Sequence, residues 1–185
     1  MEQVAELTVP DTEIVVRRAR TPDVGAIRRL VDIYAGAGLR LLEKATVTLY
    51  EDVQEFWVAE RGGQVVGCGA LHVLWEDLAE IRTVAVDPDC RGLGIGYRIV
   101  SSLIRTAKEL GLRRVFCLTF EIDFFARHGF LPIQGTPVSP EVYAELLASY
   151  DEGVAEFLDL EHVKPNTLGN TRMLLHLTAG DSELD

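Results

Sequence analysis

Disulfide chemistry has little to work with in this chain. The three cysteines, Cys68, Cys90 and Cys117, are odd in number and form no CxxC pair. Neither a disulfide framework nor a zinc site is expected, and a reducing cytoplasm suits them. Positive charge is also short: 18 Lys and Arg stand against 29 Asp and Glu, a formal net charge of −11. That balance argues against nucleic acid and anionic membranes as partners. No apolar run is long enough to span a bilayer. The first residues lack a basic segment followed by an apolar one, so no signal peptide is expected. Internal repeats and low-complexity segments are absent as well.

What is present can build a core. Of 185 residues, 48% are hydrophobic, which suits one domain. That domain is expected over residues 14–177. Part of the acid sits outside it, at Glu2, Glu6, Asp11 and Glu13, then Asp181, Glu183 and Asp185. Residues 1–13 and 178–185 therefore read as solvated, flexible tails.

Chemistry concentrates in residues 78–111, which read strand, turn, glycine-rich loop and helix. Leu78 to Val86 is apolar and β-branched, and Asp87-Pro88-Asp89 stops it. Then comes Arg91-Gly92-Leu93-Gly94-Ile95-Gly96, and after it Ile95, Ile99, Leu103 and Ala107 at helical spacing, with Gly111 as a C-cap. Glycines let a ligand approach the backbone, and a helix start presents unpaired N–H groups and a positive dipole end. Phosphate suits such a place. A dinucleotide fingerprint fails because Tyr97 stands at its third glycine, and a P-loop fails for want of Gly-Lys-Ser/Thr. Arg91-x-x-Gly94-x-Gly96 fits a third pattern, Arg/Gln-x-x-Gly-x-Gly/Ala. It resembles the acetyl-CoA pyrophosphate loop of the GNAT N-acetyltransferases.

The rest of the chain is read around that unit. Ile14 to Arg18 is a strand. Thr21-Pro22-Asp23 starts a helix whose apolar face is Val24, Ile27, Leu30, Val31 and Tyr34, ended by Gly36 and Gly38. A loop and a short helix through Val47, Tyr50 and Val53 lead to a hairpin, Phe56 to Glu60 and Val65 to Leu74, turning at Arg61-Gly62-Gly63-Gln64. Gly67 and Gly69 are expected to loosen its second strand. Later come a strand from Arg114 to Phe120, a short helix from Ile122 to Arg127, a strand at Phe130, a helix from Glu141 to Tyr150 and a last strand from Met173 to Leu177. Residues 151–162 are acidic and amphipathic and fit helix or loop, and Lys164 to Asn170 reads as loop. The result is α/β, a central mixed sheet flanked by helices, in the element order of GNAT folds.

Within that family, Phe56 to His72, Glu80 to Pro88 and Val115 to Phe130 are similar to segments of N-acetylglutamate synthases, which acetylate the α-amine of glutamate in the first step toward arginine. Many of those enzymes carry an amino-acid-kinase domain ahead of the acetyltransferase domain. This chain resembles the short, single-domain form.

The resemblance implies acetyl-CoA as cosubstrate and no metal. Its pyrophosphate would meet Arg91, Gly92, Leu93, Gly94, Ile95 and Gly96, and its pantetheine and thioester the backbone of Val84, Ala85 and Val86. Glu80 falls where related enzymes keep a catalytic glutamate and is the expected base, with His72 and His128 as runners-up. Phe125 stands where many members place an acidic tyrosine, so no general acid is named. One cation must meet the acceptor's α-carboxylate. Strand alternation puts Arg82 on the face of Glu80 if no bulge intervenes. Lys44, Arg172 and Lys164 rank after it. Phe120-Glu121 stands where long-form synthases usually carry an arginine, which weakens the case for a second carboxylate and favours an amide.

The expected function is transfer of acetyl to the α-amine of L-glutamate or L-glutamine. The small-molecule acceptor is the expected partner, in the cytoplasm, and a homodimer is the assembly allowed for. Acetylation of protein N-termini or small amines is a second reading, and an acetyl-CoA-binding sensor without turnover a third.

Overall fold

Side-chain alternation in one strand organises the layers. In β2 (Phe56–Arg61), Phe56 and Val58 join one buried cluster while Trp57 and Ala59 join another. Each cluster is a face of the same sheet, so the strand is buried on both sides and reads as a continuous apolar run. The computed structural model describes residues 13–36 and 44–178, with the side chains of 165 and 166 left aside. Its seven strands are β1 (Ile14–Arg18), β2, β3 (Gln64–Trp75), β4 (Leu78–Val86), β5 (Arg114–Thr119), β6 (Leu131–Pro132) and β7 (Thr171–His176). They lie in the order β1-β2-β3-β4-β5-β7-β6, all neighbours antiparallel except the parallel pair β4–β5.

Helix α1 (Val24–Gly36) covers one face through Val24, Ile27, Leu30 and Val31, each fully buried as the spacing predicts. The short α2 (Thr46–Glu51) adds Leu49 to that cluster. Helix α3 (Ile95–Glu109) covers the opposite face, with Ile99, Leu103 and Ala107 at 0% exposure. A β-carbon at Gly67 would lie 2.8 Å from Ile95, and one at Gly69 would lie 2.8 Å from Ile99. These glycines leave β3 12 residues long, with its register against β4 slipping at Gly69. They bring α3 down onto the sheet.

The small helices α4 (Ile122–Ala126), α5 (Pro140–Leu146), α6 (Glu152–Phe157) and α7 (Lys164–Thr167) follow β5. The undecided stretch 151–162 is therefore a helix followed by a 3-10 turn at Glu161–Val163. The stretch read as loop from Lys164 contains one helical turn. A third cluster packs Leu146, Val154, Phe157 and Leu158 against Leu74, Leu78, Phe116 and Leu174 of the sheet. This seats α6 over the middle of β4 and β5. The readings for 1–12, 37–43 and 179–185, including Gly38 and most of both tails, lie outside the described residues.

Two irregularities shape the sheet centre. The β3–β4 register slips between Cys68↔Ala85 and Ala70↔Arg82, so Gly69 faces both Thr83 and Val84. Thr83 takes a φ of 58°, rare for a β-branched residue. The extra residue reverses the parity of β4: Ile81 and Val84 pack toward α3, while Ala85 packs toward α1. Separately, β4 and β5 pair only at Leu78↔Arg114, Ala79↔Val115 and Glu80↔Phe116. Beyond Glu80 the two strands part, β5 continuing along β7 while β4 keeps β3 alone.

Candidate active site

The split between the parallel strands opens a cavity of about 410 Å³ beside Glu80. Strand β4 contributes Glu80 to Thr83, β5 Leu118, and α2 with its entry Lys44, Ala45 and Thr48. Tyr150, Asp151, Glu152, Gly153 and Glu156 come from α6 and its approach, and Asn170 from the turn before β7.

Glu80 is 4% exposed, and its Oε2 has no hydrogen-bond partner. Burial pushes its carboxyl up to about 8, with Glu156 and Asp151 adding to the rise and Arg82 opposing it. The bulge falls one residue beyond Arg82, so Glu80 and Arg82 do share a face and both line the cavity. Arg82 has a side chain only 9% exposed. Its Nη1 and Nη2 donate to the two oxygens of Asp151 at 2.7 and 3.1 Å. Glu55 Oε2 lies 3.6 Å from Nη2, while the other Glu55 oxygen meets His72 Nδ1 at 2.7 Å. Arg82 Nε is buried and has no partner, so one donor is left over. Burial raises the Asp151 carboxyl, but the Arg82 pair and the Val154 amide outweigh it and hold the group down at about 2. Burial and Glu152 push Glu156 the other way, to about 7.

The other predicted cations divide. Lys44 reaches the cavity, its Nζ 3.0 Å from Asp52. Arg172 does not line it. That guanidinium donates to the carbonyls of Gly135, Glu156 and Phe157 and lies over the Phe116 ring at 4.9 Å. It satisfies carbonyls at the end of α6, a capping task. Lys164 is half exposed, pairs with Glu161 at 3.0 Å and is also absent from the cavity wall. His72 is engaged by Glu55, and His128 stacks on Tyr97 with ring centroids 4.2 Å apart. Phe125 is a core residue, 6% exposed.

The glycine loop joins β4 to α3 on the far side of the split. Gly92 and Gly94 have φ of 81° and 71°, and β-carbons there would meet nothing within 4 Å. Gly94 is the N-cap of α3 with no side-chain cap, and no acid lies in the first turn. Nothing from the helix itself competes for an anion at those N–H groups. Gly92, Leu93 and Gly94 are exposed, as is Arg91, while Ile95 is buried and Gly96 lies against Phe124. Ahead of the loop, Arg29 bonds Asp87 at 2.9 Å, and the Tyr34 hydroxyl donates to the Val86 carbonyl at 2.5 Å. That carbonyl is thus partly engaged. Of the three backbone positions expected to meet pantetheine, Ala85 and Val86 pair with Cys68 and Gly67 on β3, and Val84 sits at the bulge. The cavity and the loop sit at the middle and the end of one strand, which suits a ligand laid along β4.

Reading the sequence alone missed Asp151, Glu152, Gly153, Glu156 and Asn170. A signal was available for the first two: Asp151 accepts from Val154 N as an N-cap, with Glu152 in the first turn.

Residues 27–130 match the model of the Acetyltransferase (GNAT) family. An amino-acid acetyltransferase of Mycobacterium tuberculosis is 66% identical over 170 residues, covering 90% of this chain and 97% of its own. Rv2747 from Mycobacterium tuberculosis, solved in complex with CoA and NLQ, superposes with a TM-score of 0.86 at 67% identity, covering 89% of this chain and 99% of that one. N-acetylglutamate synthase from Neisseria gonorrhoeae, solved with coenzyme A and N-acetyl-glutamate, shares the fold at a TM-score of 0.70 and 22% identity, over 90% of this chain and 36% of its own. With more than half its length matched by the family model and a near-full-length relative at that identity, the chain belongs to the GNAT family of acetyltransferases.

Proposed function

We propose that the protein transfers acetyl from acetyl-CoA to the α-amine of glutamine or glutamate. It is an amino-acid acetyltransferase, like the relatives it resembles over nearly its whole length. One observation carries the acceptor site: a buried carboxylate with an unpartnered oxygen, Glu80, and a buried guanidinium with a spare donor, Arg82, face one cavity where the strands part. Glu80 takes the ammonium proton, directly or through a water, and its raised pKa matches that task near neutral pH. Arg82 holds the α-carboxylate: its buried Nε–H is left unpaired by the Asp151 grip and takes the acceptor as its partner. Holding both ends of the amino-acid head turns the amine toward the opening between β4 and β5.

The cosubstrate fits the neighbouring loop: open space over Gly92 and Gly94 and an uncapped helix start suit a pyrophosphate, with Arg91 adding charge. The backbone of Val84 and Ala85 borders the opened strand edge and suits the pantetheine arm.

Cavity charge bears on the acceptor's far end. Among the described residues of the wall, Lys44 and Arg82 stand against Glu80, Asp151, Glu152 and Glu156, and each cation already meets an Asp. A second carboxylate would meet like charge, so glutamine is favoured over glutamate. The three buried free cysteines and the acidic balance fit a reducing compartment, the cytoplasm. Among the described residues no helix is long and apolar enough to cross a membrane. Thiol release from acetyl-CoA, measured against the twenty amino acids and a set of peptides, tests the reading: glutamine and then glutamate should lead. Activity on peptides alone would transfer the protein to the N-terminal acetyltransferase class.

A further inference from the structure

Helix α6 begins against the guanidinium of Arg82 with almost no space between them. Gly153, the second residue of α6, is buried and lines the cavity. A β-carbon there would overlap Arg82 Nη1, approach Arg82 Cζ to 3.4 Å and approach Asp151 Oδ1 to 2.9 Å. The backbone does not call for glycine, because Gly153 is not among the residues of positive φ. Helical sequence does not call for it either, since glycine is among the poorest helix formers. The reason for a glycine here is the guanidinium beside it.

We infer that Gly153 is a positioning residue for acceptor recognition: its missing side chain lets Arg82 lie flat on the first turn of α6, where Asp151 grips both terminal nitrogens and Nε stays free for a carboxylate. This rests on Arg82 being the acceptor's carboxylate partner, as proposed above. Two neighbouring residues, Asp151 and Gly153, then serve one purpose. Asp151 caps α6 through the Val154 amide and orients Arg82, and Gly153 leaves the room for that grip. Arg172 closes the other end of the helix by donating to the carbonyls of Glu156 and Phe157, and also to that of Gly135. A methyl group at position 153 meets the end of a flexible side chain and not the backbone, so Arg82 gives way while the fold stays.

The test is Gly153→Ala in the full chain, alone and combined with Arg82→Ala. The single variant should unfold within a few degrees of wild type and bind coenzyme A unchanged. Its KM for the amino acid should rise roughly tenfold or more, as expected for a displaced positioning group, while kcat falls much less. In the Arg82→Ala background the same substitution should change KM less than about twofold, because its target is gone. An unchanged KM in the single variant would overturn the inference, and so would an equal further loss in the double variant. A crystal structure of Gly153→Ala gives a reading independent of turnover: a guanidinium still seated on Asp151 overturns the placement argument. If wild type shows no amino-acid acetylation at all, it is the proposed function that fails, and the crystal structure still decides the role of Gly153.

Discussion

Arg82 and Asp151, 69 residues apart in the chain, grip each other through both guanidinium nitrogens at 2.7 and 3.1 Å. The pair joins the centre of the sheet to the start of α6, so it closes the cavity as well as orienting a cation. Asp151 also caps the helix. Asp151→Ala removes both contributions, whereas Asp151→Asn keeps a good cap and loses the charge. A lost cap costs about 1 kcal/mol, while breaking this largely buried pair leaves Arg82 uncompensated at roughly 3–5 kcal/mol in either variant. Urea unfolding should therefore show both variants strongly destabilised, with Asp151→Ala losing about 1 kcal/mol more than Asp151→Asn. Equal losses would mean that the cap contributes nothing.

Glu80 should reveal itself in kinetics and in stability. Glu80→Gln is expected to cut kcat by roughly two to four decades, the usual contribution of a general base, with coenzyme A affinity near normal. The wild-type rate should climb with pH toward about 8 as the carboxyl ionises, and the variant should lose that rise. For stability the sign is set by a folded pKa above the ordinary 4.5. The folded chain holds the proton more tightly, so this group's contribution is complete below about pH 4.5 and is lost as pH rises through 8. Glutamine has no proton to lose. The Tm of Glu80→Gln relative to wild type should thus increase from pH 5 to pH 8.5 in thermal scans, and a constant difference would contradict the burial argument.

Periodicity made most of the fold legible. The face of α3 and the hairpin turn at Gly62 and Gly63 followed from spacing and turn chemistry, and both glycines do take positive φ. The shared face of Glu80 and Arg82 followed from strand alternation. Its condition, the absence of a bulge, holds by a single residue, since Thr83 carries the bulge. Strand alternation carries no sign of such an insertion. The undecided stretch 151–162 hid Asp151, Glu152, Gly153 and Glu156 of the cavity wall because α6 is only six residues long, too short for a clear helical period. Arg172 falls outside the cavity wall for a reason the sequence does not carry. Register on β7 places it opposite Leu118, but only tertiary packing shows that carbonyls of α6 occupy its donors.

The glycine loop makes a separate prediction. Gly94 combines a φ of 71° with open space above it, so a branched side chain there is strained and also projects where a phosphate would sit. Gly94→Val should reduce coenzyme A binding at least about tenfold by calorimetry, as expected when a ligand cannot approach the helix start. The thermal midpoint should fall only modestly, because the loop is exposed. A folded variant with unchanged affinity would remove the loop from the cosubstrate site.

Arg82 tests the acceptor itself. Its side chain is nearly buried, two of its nitrogens are held by Asp151 and Nε has no partner. A carboxylate arriving at Nε would complete the guanidinium's hydrogen bonding next to Glu80, placing the amine near the base. Truncating one partner of a buried, charge-assisted pair costs roughly 2–5 kcal/mol. Arg82→Ala should therefore raise the KM for glutamine, or lower kcat/KM, by at least about thirtyfold, the low end of that range. Coenzyme A affinity should barely move, since the glycine loop lies beyond the end of β4 and Arg82 at its middle. The decisive comparison uses an acceptor without an α-carboxylate, such as a simple primary amine, assayed on both proteins. Such an acceptor has nothing to lose at position 82, so its weak turnover should be similar in wild type and variant. An equal loss on both acceptors would mean that Arg82 only holds α6 in place through Asp151, and the α-carboxylate would have to be assigned to Lys44, the other cation on the cavity wall among the described residues.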